Sequence, residues 1–528
     1  MHLCRTLAIV MSCLGWVASP TAFGEVRPHA LISDGMVLQR GMKVPIWGTA
    51  DDGEQVTVQF QGQEIVTTAR DGKWSVNLEN LKAGGPFPMK IKGKKAIEFK
   101  NVLVGDVWVA SGQSNMEWPV RLSDKPEQAI ASSKNPMIRL FAVAKRPASA
   151  PISEVQGSWQ ECGPESVKNF SAVAYFFGKD LQSTLKVPIG LIHTSWGGTP
   201  AEAWTSSAAL EAESSLKYLA DGQARLLEEY PRAIDRLISE LTKYKQAVAK
   251  LGAEHKDLPT APSFQIVNPA RNPMVATTLY NGMIAPLIPY AIKGATWYQG
   301  ESNAGRAFEY RTLLATMIKN WRADWKQGDF PFLIVQLAPF QKIDIDPQES
   351  AWAELREAQS LTAKKVPNTA IAVITDVGDE KDIHPKWKAP VGERLARAAR
   401  ALANGEKIVY SGPTYGSMKV DGSKIIVDFD NVGGGLVAKG VPLVGFTIAG
   451  KDRKFFRADA EILDNKVVVW SKDVEQPVAV RFGWANYPVV NLWNKDGLPA
   501  SPFRTDDFPM VTDPKNQRPN QRPSARAR

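Results

Sequence analysis

Residues 102–120 read VLVGDVWVASGQSNMEWPV, an apolar run from Val102 to Ala110 that ends in Ser111, Gly112, Gln113, Ser114, Asn115 and Met116. A short valine-rich run closed by glycine and polar residues is the pattern of a buried strand reaching the edge of a sheet covered on both faces. Four further runs have the same character: Val187–His193, Lys293–Tyr298, Pro331–Leu337 and Thr369–Thr375. Helical periodicity separates them. Phe170, Val173, Phe177, Leu181 and Leu185 fall at three- and four-residue steps, as do Tyr310, Leu314, Met317, Trp321 and Trp325. A third helix begins near Pro390, carries Val391, Leu395, Ala398 and Leu402 on one face, and stops at Gly405. The alternation predicts an α/β domain over 101–405, three layers deep, with a parallel sheet.

Outward from this core the rhythm changes. Residues 25–100 and 406–510 run in short alternating segments broken by Gly, Pro and Asp-Gly, which predicts two flanking β-sandwich-like domains. Residues 206–256 are dense in Glu, Lys and Arg around Leu226, Leu227, Leu237 and Leu241, so a charged helical insertion is expected. Residues 511–528 are polar, proline-containing and basic, and read as a disordered tail. At the other end, residues 1–24 combine Arg5, an apolar run from Leu7 to Val17, and small residues near Ala22 and Gly24. This is the form of a secretory signal peptide.

Composition narrows the function. The 528 residues carry a net charge of +9, of which Arg5 and the tail supply more than half, leaving too diffuse a balance to point to nucleic acid. No later segment offers roughly 18 uninterrupted apolar residues, so an integral membrane protein is not expected. Of three cysteines, Cys4 and Cys13 lie in the signal and only Cys162 remains, which excludes an internal disulfide and a thiolate zinc site in the mature chain. No HExxH spacing exists. Carboxylate-rich metal sites are left open by these counts, although the serine chemistry that Ser114 suggests needs no metal or organic cofactor, and no feature bears on the oligomeric state.

Ser114 stands where a hydroxyl is presented at the carboxyl edge of a sheet, although Met116 breaks the G-x-S-x-G elbow of α/β-hydrolases. A partner base is found among the four histidines of the mature chain, His29, His193, His255 and His384. His29 and His255 lie far in sequence from the sheet's loops, and His193, at a strand end, reads as a hydrogen-bonded structural residue. His384 follows the last strand in DVGDEKDIHP, where Asp376, Asp379 and Asp382 can orient an imidazole. Two other loops fall on the same edge, Ser195-Trp196-Gly197-Gly198-Thr199-Pro200 and Trp297-Tyr298-Gln299-Gly300-Glu301-Ser302-Asn303. The glycine pair can bring a backbone N–H, and Gln299 a side-chain amide, to a developing oxyanion. Together the four loops favour acyl transfer. Two rival readings are a glycan-binding assembly without chemistry and a secreted lipase or peptidase.

The chain resembles the sialate O-acetylesterase family, within the SGNH-type hydrolases. The resemblance rests on GQSNMEWPV around Ser114, TSWGGTPAEAW from Thr194, LYNGMIAPL from Leu279, WYQGESNAG from Trp297, DIHPKWK from Asp382 and NLWNKDGLPASPFRTD from Asn491. It implies a flavodoxin-like three-layer domain and a serine esterase acting on O-acetylated carbohydrate, sialate or, alternatively, acetylxylan. Ser114 matches the nucleophile, His384 the base, Gly197 or Gly198 the oxyanion glycine, and Gln299 the position where many SGNH enzymes place Asn. The acid is left among Asp382, Asp379 and a backbone carbonyl, because Lys381 stands at the usual aspartate position. Trp118, Trp196, Trp204, Glu301 and Asn303 are the candidate sugar contacts, and Arg121 and Arg306 the candidates for a substrate carboxylate.

Overall fold

The computed structural model describes residues 25–253, 260–261 and 266–516; the expected signal peptide lies outside them. Its organising element is the 17-residue strand Ala96–Gly112. The outer part pairs antiparallel with Gly84–Lys92, while the inner part lies between the parallel strands Ile189–Ser195 and Gly294–Tyr298. Burial changes at the same point, from partial or none up to Asn101 to unbroken burial from Val102 to Gly112. One hydrogen-bonded ladder therefore crosses the expected boundary at 100/101. The short apolar segment is only the covered half of a longer strand.

The central sheet runs in the order Trp159–Cys162, Asn135–Ala142, Ile189–Ser195, Ala96–Gly112, Gly294–Tyr298, Phe332–Val335, Thr369–Ala372. The last six are parallel, but Trp159–Cys162 is antiparallel at the edge and Gly84–Lys92 extends the same sheet, so it is mixed rather than purely parallel. In chain order the last five stand 2-1-3-4-5. The sheet thus reverses its direction of growth at Ala96–Gly112, and a crevice opens at the carboxyl end of that strand.

Helices cover both faces. Ala172–Leu185 and Ala389–Asn404 bury Val173, Phe177 and Leu181 with Val391, Leu395 and Ala398 on one side. Ala307–Trp325 and Ala351–Lys365 bury Tyr310, Leu314, Met317 and Trp321 with Leu355 on the other. Each buried Val, Leu, Phe or Met among them contributes about 1.5–3 kcal/mol by leaving water. The insertion folds as Ser207–Ala212 and the 37-residue helix Lys217–Ala253, lined with ion pairs such as Lys217–Asp221 and Lys243–Glu240.

Residues 27–92 contribute a sheet of Arg27–Pro28, Val44–Thr49 and Lys73–Leu78, and the strands Gln55–Phe60 and Gln63–Thr68 that extend the central sheet through Gly84–Lys92. Residues 414–504 form small antiparallel sheets around a core that includes Ile425, Val427, Ile448, Val467 and Phe482. The buried Arg356 joins that region to the helix layer by donating to the carbonyls of Ala485 and Asn486 at 2.7 and 2.8 Å. The expected tail does not begin at 511. Glu354 accepts hydrogen bonds from the N–H groups of Val511 (2.7 Å) and Thr512 (3.0 Å), which fixes the chain there. Residues 517–528 lie outside the described part.

Candidate active site

Four loops leave the carboxyl edge around the crevice. The serine turn begins at Gly112, whose φ of +141° and whose virtual Cβ, 2.1 Å from the Tyr298 carbonyl oxygen, admit no side chain. Gln113 then donates its N–H to that same oxygen (3.0 Å), and its own carbonyl accepts from Met116 and Glu117. This opens the short helix Ser114–Glu117 and projects the Ser114 hydroxyl into the crevice. Ser114 Oγ lies 2.8 Å from His384 Nε2, across 270 residues of sequence.

The three carboxylates of the histidine loop separate by role. Asp376 is clamped by Arg394 at 2.6 and 2.7 Å, away from the ring. Asp379 accepts the backbone N–H groups of Lys381 and Asp382, which hold its carboxyl below the usual range and shape the loop. Asp382 accepts the His384 N–H at 2.9 Å and places Oδ1 3.4 Å from His384 Nδ1. Of the three, only Asp382 accompanies the imidazole. Trp118 stacks on the ring, with centroids 4.8 Å apart and planes at 14°. Burial, reinforced by Lys388 and opposed by Asp382, holds His384 below the ordinary histidine range, which keeps it neutral and basic near pH 7.

The glycine loop approaches closely: a Cβ on Gly197 would stand 3.2 Å from Ser114 Cβ. The Gly197 N–H points into the site and donates to Glu117 Oε2 at 2.6 Å. The other oxygen of Glu117 takes Lys145 Nζ at 2.5 Å, and Lys145 lies over the Trp196 ring at 5.1 Å. Gly198 supplies its carbonyl to Ser302 Oγ (2.8 Å) instead of an evident donor to the crevice.

The third loop departs most from expectation. Gln299 is fully buried; its Nε2 donates to Asn303 Oδ1 (2.6 Å) and to the Thr199 carbonyl (3.3 Å), and its Oε1 accepts from Tyr310 OH (2.8 Å). Both amide protons are engaged inside the protein, so Gln299 braces the loop and offers nothing to an oxyanion. Strand alternation is the reason: Trp297 faces one core, Tyr298 the other, and the next side chain turns back inward. Asn303 is likewise enclosed, donating to Glu202 Oε2 at 2.9 Å and accepting from Ala201 N at 2.9 Å, which removes it as a sugar contact. Trp204 is core, with Nε1 on Thr199 Oγ1 (3.0 Å) and its ring edge-on to Trp297. Glu301 turns toward Asn115, with Oε1 2.6 Å from Asn115 Nδ2. Arg306 pairs with Glu202 and Glu309, and Arg121 Nε donates to Asn169.

Several further residues of the site carry little or no signal of their own in the sequence. Gln113 Oε1 receives the N–H groups of Gly300 and Ser302 (3.3 Å each), tying the serine turn to the third loop. Asn115, Glu117 and Lys388 stand inside motifs already quoted, so their proximity was legible though their partners were not. Trp387, half exposed in the histidine loop, is an open aromatic surface beside the site. Lys145 had no sequence signal at all. Among the described residues no group of three or more His, Cys, Asp or Glu is arranged to hold a metal ion, and no helix is long and apolar enough to cross a membrane.

Comparison with known proteins places the same residues in a wider set. The sequence profile of carbohydrate esterase, sialic acid-specific acetylesterase, matches residues 104–247 and 269–401. Sialate O-acetylesterase of Rattus norvegicus is 32% identical over 429 residues, 73% of this chain and 75% of that protein. That of Homo sapiens is 31% identical over 451 residues, 77% and 76% respectively. A crystal structure of a carbohydrate acetylesterase from Xanthomonas citri superposes with a TM-score of 0.78 at 38% identity, covering 92% of this chain and all (100%) of that one.

Proposed function

The chain belongs to the sialic acid-specific acetylesterase family of carbohydrate esterases, and on that premise we propose that it removes O-acetyl groups from glycans through an acetyl-serine intermediate. It is a carboxylic ester hydrolase acting on acetylated carbohydrate. The observation that carries the mechanism is the 2.8 Å contact between Ser114 Oγ and His384 Nε2 at the reversal point of the sheet. The 2-1-3-4-5 strand order with helices on both faces supports an SGNH-type domain, with the regions before and after it as β-rich flanking domains.

In the proposed reaction His384 Nε2 takes the Ser114 proton as Oγ bonds to the acetyl carbon. The carbonyl electron pair moves onto oxygen, which is met by the N–H groups of Gly197 and Ser114. Glu117 must leave the Gly197 N–H for this, because a carboxylate and an oxyanion on one donor repel. The carbon–oxygen bond to the sugar then breaks and His384 returns the proton to the departing alkoxide. Water repeats the sequence on acetyl-Ser114, releasing acetate. Asp382 holds the ring and stabilises its charged form.

For the natural substrate, the relatives' names favour O-acetylated sialic acid. The engagement of Arg306 by Glu202 and Glu309 takes that guanidinium out of reach of a substrate carboxylate and favours instead a neutral ester such as acetylated xylan; Arg121, held only through Nε by Asn169, is the arginine left for a sialate carboxylate. Trp196 and Trp387 are the surfaces on which a sugar ring would stack. Export is proposed from the apolar run Leu7–Val17, and would be checked by finding Glu25 at the amino terminus of the exported protein. The test of the function is acetate release from acetylated sialic acid, acetylated xylan and p-nitrophenyl acetate by the chain from Glu25 onward. Release abolished in Ser114→Ala and His384→Ala supports the reading; glycan binding without release would favour a non-catalytic protein.

A further inference from the structure

Beside the serine–histidine pair lies a buried group of polar side chains that the reaction above does not use. Lys388 has no exposed surface, and its Nζ donates to Asn115 Oδ1 at 2.5 Å. Asn115 is equally enclosed, and its Nδ2 donates to Glu301 Oε1 (2.6 Å) and to the Ile383 carbonyl (3.0 Å). The second Glu301 oxygen, Oε2, is buried without a hydrogen-bond partner. Three of the four loops meet here. Asn115 follows Ser114, Ile383 precedes His384, and Glu301 opens the turn after Gly294–Tyr298.

A buried ammonium and a buried carboxylate are costly to keep, and an apolar side chain of lysine's length would fill the same space without that cost. The placement of the charge suggests why it is there. Lys388 Nζ stands 5.9 Å from the Trp118 ring and 5.4 Å from the Tyr298 ring, and Trp118 is the ring that stacks on His384. The charged groups that reach His384 are Asp382 and Lys388; those that reach Lys388 are Glu301 and Asp382. Asp382 draws a proton toward the imidazole and Lys388 repels it. Burial brings Lys388 itself down to about 7, so it keeps its charge mainly in the acidic range, where His384 is at risk of protonation.

We propose that Asn115 and Lys388 are positioning residues for the esterase: Asn115 ties the serine turn to the histidine loop, and Lys388, held by Asn115 beside Trp118, supplies a positive charge that favours the neutral, proton-accepting imidazole. The inference rests on Ser114 and His384 carrying the reaction. Glu301 completes the assembly by balancing the charge through Asn115.

Lys388→Met tests it in the full chain from Glu25, assayed with p-nitrophenyl acetate across pH. The expected result is a kcat lower by about 10-fold or more with KM little changed, toward the ~10²-fold that a 1 Å misplacement of a reacting group costs. The acid limb of kcat/KM should also move to higher pH, because removing the positive charge makes His384 easier to protonate. A purely structural lysine would leave that limb in place. Wild-type kcat and an unmoved acid limb in a folded Lys388→Met would overturn the inference. If that variant does not fold, Asn115→Asp, of the same size, keeps the acceptor for Lys388 but lacks the donors to Glu301 Oε1 and Ile383 O. Reduced kcat at constant KM supports the strut, and wild-type kcat overturns it. Failure of the unmutated chain to release acetate sinks the esterase reading and this inference together. Normal variants beside an inactive Ser114→Ala sink this one alone.

Discussion

Two serine–histidine pairs stand on the same sheet edge. His384 Nε2 lies 2.8 Å from Ser114 Oγ, and His193 Nε2 lies 2.6 Å from Ser195 Oγ. By distance the second is the better contact, but its surroundings suit it poorly to the base role proposed for His384. Ser195 is buried, the Phe170 ring meets His193 edge-on at 5.4 Å, and burial pushes that imidazole down to about 4. A histidine so reluctant to accept a proton is a poor base. His384 has a carboxylate at Nδ1, a serine facing an open crevice and a glycine N–H beside that serine. A short serine–histidine bond is therefore no signature of catalysis. What distinguishes the two is access, an orienting acid, and a donor for the charge that develops.

The contrast is most directly broken by exchanging the serines. Ser114→Ala is expected to lower kcat by about 10⁴-fold or more, while Ser195→Ala stays within about 2-fold in an acetate-release assay. The reverse order would transfer the chemistry to His193 and Ser195. Gly197→Ala comes next, with a loss of about 10²–10³-fold, because the added methyl crowds Ser114 and turns the donor away. Its melting temperature, measured alongside, should change little.

Asp382→Asn should cost about 10²-fold or less, below the ~10⁴ of a buried triad aspartate, since its side chain is well exposed and 3.4 Å from the ring. Steady-state kinetics showing a loss as large as that of Ser114→Ala would mean that the acid is held more tightly in solution. Removing Glu117 frees the Gly197 N–H, so Glu117→Ala should lower KM for p-nitrophenyl acetate a few-fold, the scale of one neutral hydrogen bond made available. An unchanged KM would show that the carboxylate never competes with substrate. The finest distinction is in pH dependence. With its pKa held below 6.5, His384 loses basicity only as pH falls beneath that value, so kcat/KM should decline there and stay level through neutrality. Ser195→Ala should leave that limb where it is.

Much of this was open to reading along the chain. The runs Lys293–Tyr298 and Pro331–Leu337 declare themselves as near-continuous apolar stretches, because a strand covered on both faces has no polar side, and the helix faces at Val173, Phe177 and Leu181 by their period. The motif around Ser114 and the loop holding His384 were legible for the same local reason. The direction of Gln299 was not, because where the chain leaves the strand and which distant groups, such as Asn303 and Tyr310, take up its amide are not written in the local pattern. The engagement of Arg306, the burial of Trp204 and the arrival of Lys145 at Glu117 depend on neighbours far away in sequence. The strand across 100/101 was hidden because its outer half, alternating in burial, reads like the β-rich segments before it.

By itself the sequence determined the elements, their layering, the loops that carry polar groups, and the reaction class those groups suit. All of these depend on spacing and residue type within a few turns or strands. Only the tertiary structure decided which of two short serine–histidine pairs faces open space, which of three aspartates stands at the ring, and which amides are already occupied. Those outcomes follow from burial and hydrogen-bond saturation, and a donor's availability is settled by whatever the rest of the fold brings within about 3 Å of it.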